Sequence, residues 1–391
     1  MKNKIKFLGA FVIMVLVGFS TSACASSDSS EKSSESDSSG AVTKPPQRGK
    51  SVDMPINKPI VWRNIKDIAY GDGMFIATGE ISLKGVKNRQ YYITYSSDGI
   101  NWTDLSIITR GTHYPLRVSY GGGMFVAGGE DSQIWYSPDG IKWFAHPANK
   151  YINKTSYFPS GIAYGNGIFV AVSMSRTATS TDGINWNVRD HSEYSFYGGD
   201  IRDKRTIAYG GGRFVSLAER VKVSDEVYRG RYYHSTDGTN WTAYTSSVYV
   251  SALFGNGIIY GNGKFISWGG AKIVYSNDGI NWVSVENSTF DSPINDIAYG
   301  DGRFVAVGRD GKMAYSTDGI NWTALLDPAF GFSSIHTITY GGGKFVAVGG
   351  GGTFGGWIAE INEEIKIAYS TDGISWTPIP FGSSDKLGGT K

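Results

Sequence analysis

A unit of about 45 residues recurs seven times in this chain, and that repetition limits the possible folds more than any other feature. Its fullest form is Ile297-Ala298-Tyr299-Gly300-Asp301-Gly302-Arg303-Phe304-Val305-Ala306-Val307-Gly308, followed by Tyr315-Ser316-Thr317-Asp318-Gly319-Ile320-Asn321-Trp322-Thr323. The Tyr-Gly pair begins at Tyr70, Tyr120, Tyr164, Tyr209, Tyr260, Tyr299 and Tyr340, at spacings of 39 to 51 residues. The Trp recurs as Trp102, Trp143, Trp186, Trp241, Trp282, Trp322 and Trp376, so seven of the 11 Trp are repeat positions whose default role is core packing.

Each unit holds four apolar runs of strand length: one ending at the Tyr, the Phe-Val-Ala-Val run, one ending at Tyr-Ser and one starting at the Trp. Gly-x-Gly joins the first two and Asp-Gly the last two, and both supply residues that tolerate positive φ in a tight turn. The unit therefore reads as a four-stranded antiparallel meander. Its second run, as in Phe345-Val346-Ala347-Val348, is apolar at successive positions and needs cover on both faces. Seven such sheets packed face to face around an axis supply that cover and protect most strand edges. The expected fold is all-β, a seven-bladed β-propeller of four-stranded antiparallel blades.

The turn Ser96-Ser97-Asp98-Gly99-Ile100-Asn101-Trp102 and its copies resemble the Asp-box of sialidase-like propellers, Ser-x-Asp-x-Gly-x-x-Trp, over all seven units. Here Gly follows Asp directly, so Asp to Trp is four residues where that pattern has five. The resemblance implies the propeller fold and not the family's activities, because the box is a structural turn. Its Ser and Asp side chains can bond local backbone N–H groups while the Trp packs inward. With one carboxylate per turn, a calcium loop is the weaker reading, and no metal site is assigned.

Ahead of the repeats, Lys2, Lys4 and Lys6 precede an uncharged run that is too short for a permanent span. It ends at Ser20-Thr21-Ser22-Ala23-Cys24, which resembles a bacterial lipoprotein signal, with Thr21 in place of the usual Leu. Residues 1–23 are then a signal peptide and Cys24, the chain's single cysteine, an acylated first residue with the two-chain anchoring that holds a protein on a membrane. An ordinary signal peptide cut near Ala23 is the alternative. Of the 14 residues from Ser26 to Ser39, 9 are Ser and the others acidic or Lys, a composition that cannot offset its chain entropy. Residues 24–57 read as a disordered tether and residues 58–391 as the propeller. Seven of the 37 basic and five of the 35 acidic residues precede Lys58, so the propeller carries 30 of each and gives no support for nucleic-acid binding.

Because strands alternate in direction, the Gly-x-Gly and Asp-Gly turns share one face of the disc. The loops between second and third strands and the connections between blades share the other, and there the sequence stops repeating, with insertions at Ile81 to Gln90, Arg220 to Arg231 and Gly350 to Glu364. Recognition is expected on this irregular face. At the inner-strand starts, facing the channel mouth, Asp67, Arg117, Arg205, Asp296 and His336 are candidate ligand-binding residues, and a ring that merely satisfies backbone ends is the competing reading. Trp357, in the Gly-rich last insertion, is the candidate exposed contact, whereas Trp135 and Trp268 lie within strands and read as core. Four of the five His fall in interblade connections, His113, His146, His191 and His336, without evidence of the convergence a metal needs. No cofactor motif is present, since the Gly run lacks the Gly-Lys-Ser/Thr ending of a phosphate loop.

Two functions follow. The first is a monomeric, lipid-anchored, extracytoplasmic binding or scaffold protein that presents its irregular face to a protein or glycan. The second is a sialidase-like glycoside hydrolase, for which Arg117, Arg205, Asp67, Asp296 and Glu193 are the conceivable parts; the Arg-Ile-Pro element typical of sialidases is absent.

Overall fold

In a computed structural model the described residues are 60–83, 90–103, 106–109, 117–128, 134–145, 159–173, 175–191, 196, 206–224, 227–250, 254–325, 329–350 and 366–379. They form seven four-stranded antiparallel sheets, each from four consecutive strands. Blade 1 holds β1 (Ile60–Gly71), β2 (Met74–Leu83), β3 (Gln90–Ser96) and β4 (Ser106–Thr109), and blade 2 holds β5 (Arg117–Gly121), β6 (Met124–Gly128), β7 (Ile134–Ser137) and β8 (Phe144–Ala145). In blade 3 come β9 (Gly161–Gly165), β10 (Ile168–Ser173), β11 (Arg176–Ser180) and β12 (Asn187–Asp190), and in blade 4 β13 (Ile207–Gly210), β14 (Arg213–Ser224), β15 (Val227–Ser235) and β16 (Thr242–Val250). Blade 5 has β17 (Phe254–Gly261), β18 (Lys264–Gly269), β19 (Lys272–Ser276) and β20 (Val283–Ser284), and blade 6 has β21 (Ile294–Gly300), β22 (Arg303–Gly308), β23 (Met313–Ser316) and β24 (Thr323–Leu325). Blade 7 ends the ring with β25 (Ile335–Gly341), β26 (Lys344–Gly349), β27 (Lys366–Ser370) and β28 (Thr377–Ile379).

The first strand of each blade neighbours that of the next, and β25 neighbours β1, so the chain is a closed seven-bladed β-propeller. Among the described residues no strand is exchanged at the closure. Ile65, Ile68 and Phe75 of blade 1 share one core with Val346, Val348 and Ile367 of blade 7, and that apolar seam closes the ring. The second strands are buried along their length, as the unbroken apolar runs require; Phe304 to Val307 is fully enclosed between blades 5 and 7.

The Tyr-Gly pair has a reason that its sequence alone does not state. A methyl group built at Gly300 would overlap the ring of Tyr340, and the same holds for Gly71 with Tyr120 and Gly341 with Tyr70. Each tyrosine thus lies on the bare backbone of the preceding blade, and the cycle closes from blade 7 to blade 1. Six of the repeat Trp are buried, whereas Trp102 is half-buried. Trp135 and Trp268 are core residues, as their strand positions suggest.

Blade 4 departs from the expectation of a loop at Arg220 to Arg231. Its second and third strands continue instead as a ladder out to the Ser224–Val227 pair, and β16 lengthens to nine residues to follow them. Outer strands of the other blades have two to four residues, short enough to offer little free edge.

Candidate functional site

The geometry of the regular face explains why it repeats. In blade 6 the Ser316 hydroxyl donates to Asp318 Oδ1 at 3.0 Å and accepts from Gly319 N–H at 2.9 Å. Asp318 Oδ1 also accepts from the N–H groups of Ile320 and Asn321, both at 2.8 Å, while Oδ2 accepts from Asn321 Nδ2 at 2.7 Å. Partial burial pushes the Asp318 carboxyl up, but these hydrogen bonds together outweigh it and hold the group down to about 2. Gly319 takes φ +75 and sits where a side chain would crowd Ile266 of the preceding blade, which accounts for Gly directly after Asp. The two kinds of turn meet across blade seams. Lys344 Nζ donates to Asp98 O at 2.8 Å, Asn262 Nδ2 donates to Thr317 O at 3.0 Å, and Arg303 donates to Asp372 O. The Asp-Gly turn carboxylates of this face, as at Asp318, are therefore committed to the turns themselves.

On the irregular face, the ring of inner-strand starts is largely consumed in joining blades. Asp296 is fully enclosed; its Oδ1 accepts from Ile297 N–H at 2.9 Å, and its Oδ2 from Thr337 Oγ1 at 2.8 Å and Ile338 N–H at 3.0 Å, both in blade 7. Asp67 repeats the arrangement between blades 1 and 2, accepting from Ile68 N–H at 2.9 Å and Val118 N–H at 3.1 Å. Each follows an irregularity in strand register that turns the carboxylate toward the next blade. Asn256 and Asn295 donate to the carbonyls of Ile294 and Ile335 one blade on, at 3.1 and 2.8 Å.

Asp67, Arg117, Asp296 and His336, expected to face an open channel mouth, are all buried. His336 donates from Nε2 to Gly350 O at 2.8 Å and so holds the start of the last insertion. Arg117 sits beside the Asp67 staple, next in sequence to the Val118 that Asp67 binds, so the structure brings these two candidates to one seam and Asp296 and His336 to another. Lys66, also on this rim, pairs with Glu80 at 2.9 Å. Arg205, Glu193, Trp357 and Cys24 lie outside the described residues, as do His113 and His146. His191 is packed, with Nε2 2.8 Å from Thr177 Oγ1; burial first, then the Arg189 cation, lowers its affinity for a proton, and Asp190 opposes them. Among the described residues no group of three or more His, Cys, Asp or Glu stands ready to hold a metal ion.

The feature that sequence reasoning missed is Phe332. Its side chain is 94% exposed, whereas Phe330, two residues earlier, is 1% exposed. The segment carrying it is tied down on several sides. Ser333 N–H bonds Phe330 O at 3.1 Å, Gly350 N–H bonds Ser334 O at 3.0 Å, and Lys366 Nζ donates to Phe330 O at 3.1 Å and Ser333 Oγ at 2.8 Å. Beneath it, a methyl group at Gly311 would overlap Gly331 O, so the turn of blade 6 is pressed against this loop. Gly311 is bordered in sequence by the exposed Asp310 and by Lys312, which pairs with Asp291 at 3.3 Å. The result is an aromatic projection, held by its loop, on the blade 6–7 sector.

No family model matches the chain, and no curated protein matches it. Solved structures of similar fold include YCF48 bound to a D1 peptide, at 18% identity and TM-score 0.51 over 77% of this chain and 93% of that one. A chain of the mitotic checkpoint complex aligns at 11% identity and TM-score 0.50 over 82% and 95%. The GH74 xyloglucanase of Xanthomonas campestris aligns at 12% identity and TM-score 0.49, over 68% of this chain and 45% of its own. At such identities the shared property is the propeller.

Proposed function

We propose that this chain is a binding or scaffold lipoprotein, anchored through Cys24 on the extracytoplasmic side of a cell membrane, whose propeller presents its irregular face to a protein or glycan partner. The observation that carries the recognition half is Phe332. An aromatic ring held almost wholly in solvent by a hydrogen-bonded loop loses little entropy on binding and offers a large apolar contact, the character of an interface hot spot. The peptide held by YCF48 belongs to that protein, and a protein partner here is the same class of ligand on the same architecture. For the hydrolase reading, Asp67 and Asp296 have both carboxylate oxygens engaged with backbone or hydroxyl donors, an arrangement suited to holding blades rather than transferring protons.

A glycan array and a peptide array probed with the full chain and scored for both binding and cleavage test the recognition half. Binding to either array should fall by about 30-fold or more in Phe332→Ser, the loss of a roughly 2 kcal/mol hot spot. Binding that is indifferent to Phe332→Ser would remove this sector from the reading, and glycan cleavage would replace it with the hydrolase. The anchoring half predicts that Cys24→Ala leaves the membrane fraction; unchanged partitioning would sink it.

A further inference from the structure

The sequence contains three Asn-Gly pairs, at Asn166, Asn256 and Asn262, chemically alike in an unfolded chain. Such pairs can rearrange without an enzyme because a glycine nitrogen is unhindered and the amide is a usable leaving group. We propose that Asn166, at the turn tip of blade 3 on the regular face, is a site of spontaneous modification through a succinimide to aspartate and isoaspartate, and that the fold ranks the three pairs Asn166, Asn262, Asn256 in falling reactivity. The backbone nitrogen of Gly167, losing its proton to solvent base, forms a bond to Asn166 Cγ. The Cγ–Nδ2 bond breaks, and the nitrogen takes a proton and leaves as ammonia. Water then adds to one of the two ring carbonyls and opens the succinimide, to aspartate or to isoaspartate according to which carbonyl it attacks.

Three features produce the ranking. Asn166 and Asn262 are exposed at φ +49 and +46, each followed by a glycine with no atom within 4 Å of where its Cβ would stand, so a ring has room to close. Gly257 instead lies against the indole of Trp268, and Asn256 Nδ2 is held by Ile294 O at 3.1 Å, which denies the third pair both space and freedom. Asn262 Nδ2 is held across the blade 5–6 seam by Thr317 O at 3.0 Å, whereas Asn166 makes no side-chain hydrogen bond among the described residues.

The molecule already accepts the aspartate product. Blades 1 and 6 carry Asp72 and Asp301 at the same turn position, both at φ +46. At Asn262 the same conversion would replace a donor facing the Thr317 carbonyl with a carboxylate, and so would open a tie between blades. The modification is harmless in one turn and loosening in another.

The test is peptide mapping of the folded full chain after incubation in mildly alkaline buffer made with oxygen-18 water. Labelled Asp and isoAsp should accumulate fastest at Asn166, several-fold more slowly at Asn262, and not measurably at Asn256; in denaturant the three rates should converge. A folded-state rate at Asn166 no greater than at Asn256, or product without label, overturns the proposal. The variants separate consequence from rate. Asn166→Asp should leave the melting temperature unchanged and Asn262→Asp should lower it, and equal melting of the two would refute the assigned role of the Asn262 tie.

Discussion

The two faces of the disc use polar side chains in opposite ways that lead to the same end. On the regular face, one formula recurs seven times, and its Ser, Asp and Asn bond within the turn, as at Ser316, Asp318 and Asn321. On the irregular face the corresponding positions differ from blade to blade, yet Asp67, Asp296, Asn256 and Asn295 are also consumed, here in joining each blade to the next. Variation in a repeat therefore does not by itself mark recognition. It also records how each seam is individually satisfied, since a buried donor or acceptor left without a partner is expensive. What separates the faces is Phe332, a large apolar side chain that the irregular face fixes in solvent.

The comparison breaks first if the repeat Trp are dispensable. Trp322 is buried against the Phe304 ring and donates to Gly319 O, so Trp322→Ala should cost about 3 to 5 kcal/mol, read by denaturant unfolding. Next comes the staple. Asp296→Ala leaves the Thr337 hydroxyl and the Ile338 N–H buried without their acceptor, at about 1 to 3 kcal/mol for each group. A loss below about 0.5 kcal/mol would return Asp296 to the list of free, ligand-facing carboxylates. Gly300→Ala forces a methyl into the Tyr340 ring and should cost about 1 to 3 kcal/mol, whereas Gly302→Ala, where the turn is open, meets only the strain of φ +72.

The smaller effects sharpen the contrast. Because Asp318 is held near 2 in the folded protein and titrates at about 3.9 when unfolded, its contribution is complete above that higher value and is lost as pH falls toward 2. Unfolding of the wild type and of Asp318→Asn should therefore converge as pH drops from 4 to 2; a gap independent of pH would mean that the carboxylate charge is not what the turn uses. Last, Phe332→Ser should change stability by less than about 0.5 kcal/mol, as an exposed site does, and still weaken partner binding by about 30-fold or more. A large stability loss would show that the ring packs against the protein and would remove it as an anchor.

Most of the architecture was legible in the chain. Period, strand runs and turn signals are local, and with seven copies each local reading was made seven times, so the propeller and the positions of Tyr, Gly and Trp followed from pattern alone. The site was legible only in part. The irregular face could be located, because strand alternation dictates which loops share an end, but the roles of its residues could not be read. Arg220 to Arg231 looked like an insertion because it interrupts the pattern, yet its backbone pairs as strands, and pairing depends on a partner strand that the pattern does not encode.

The sequence by itself determined the repeat, the blade, the ring and the two kinds of turn, because these rest on contacts within a few residues or on a periodicity that any copy displays. Tertiary structure alone decided that blades 1 and 7 share one apolar core where the ring closes, that Asp67 and Asp296 are buried staples, that of the two aromatics flanking Gly331 Phe330 is enclosed and Phe332 stands in water, and that three identical Asn-Gly pairs meet three different environments. The physical reason is common to all four. Burial and hydrogen-bond satisfaction are set by neighbours about 40 residues away in the next blade, or by the far end of the chain, and no local window contains those neighbours.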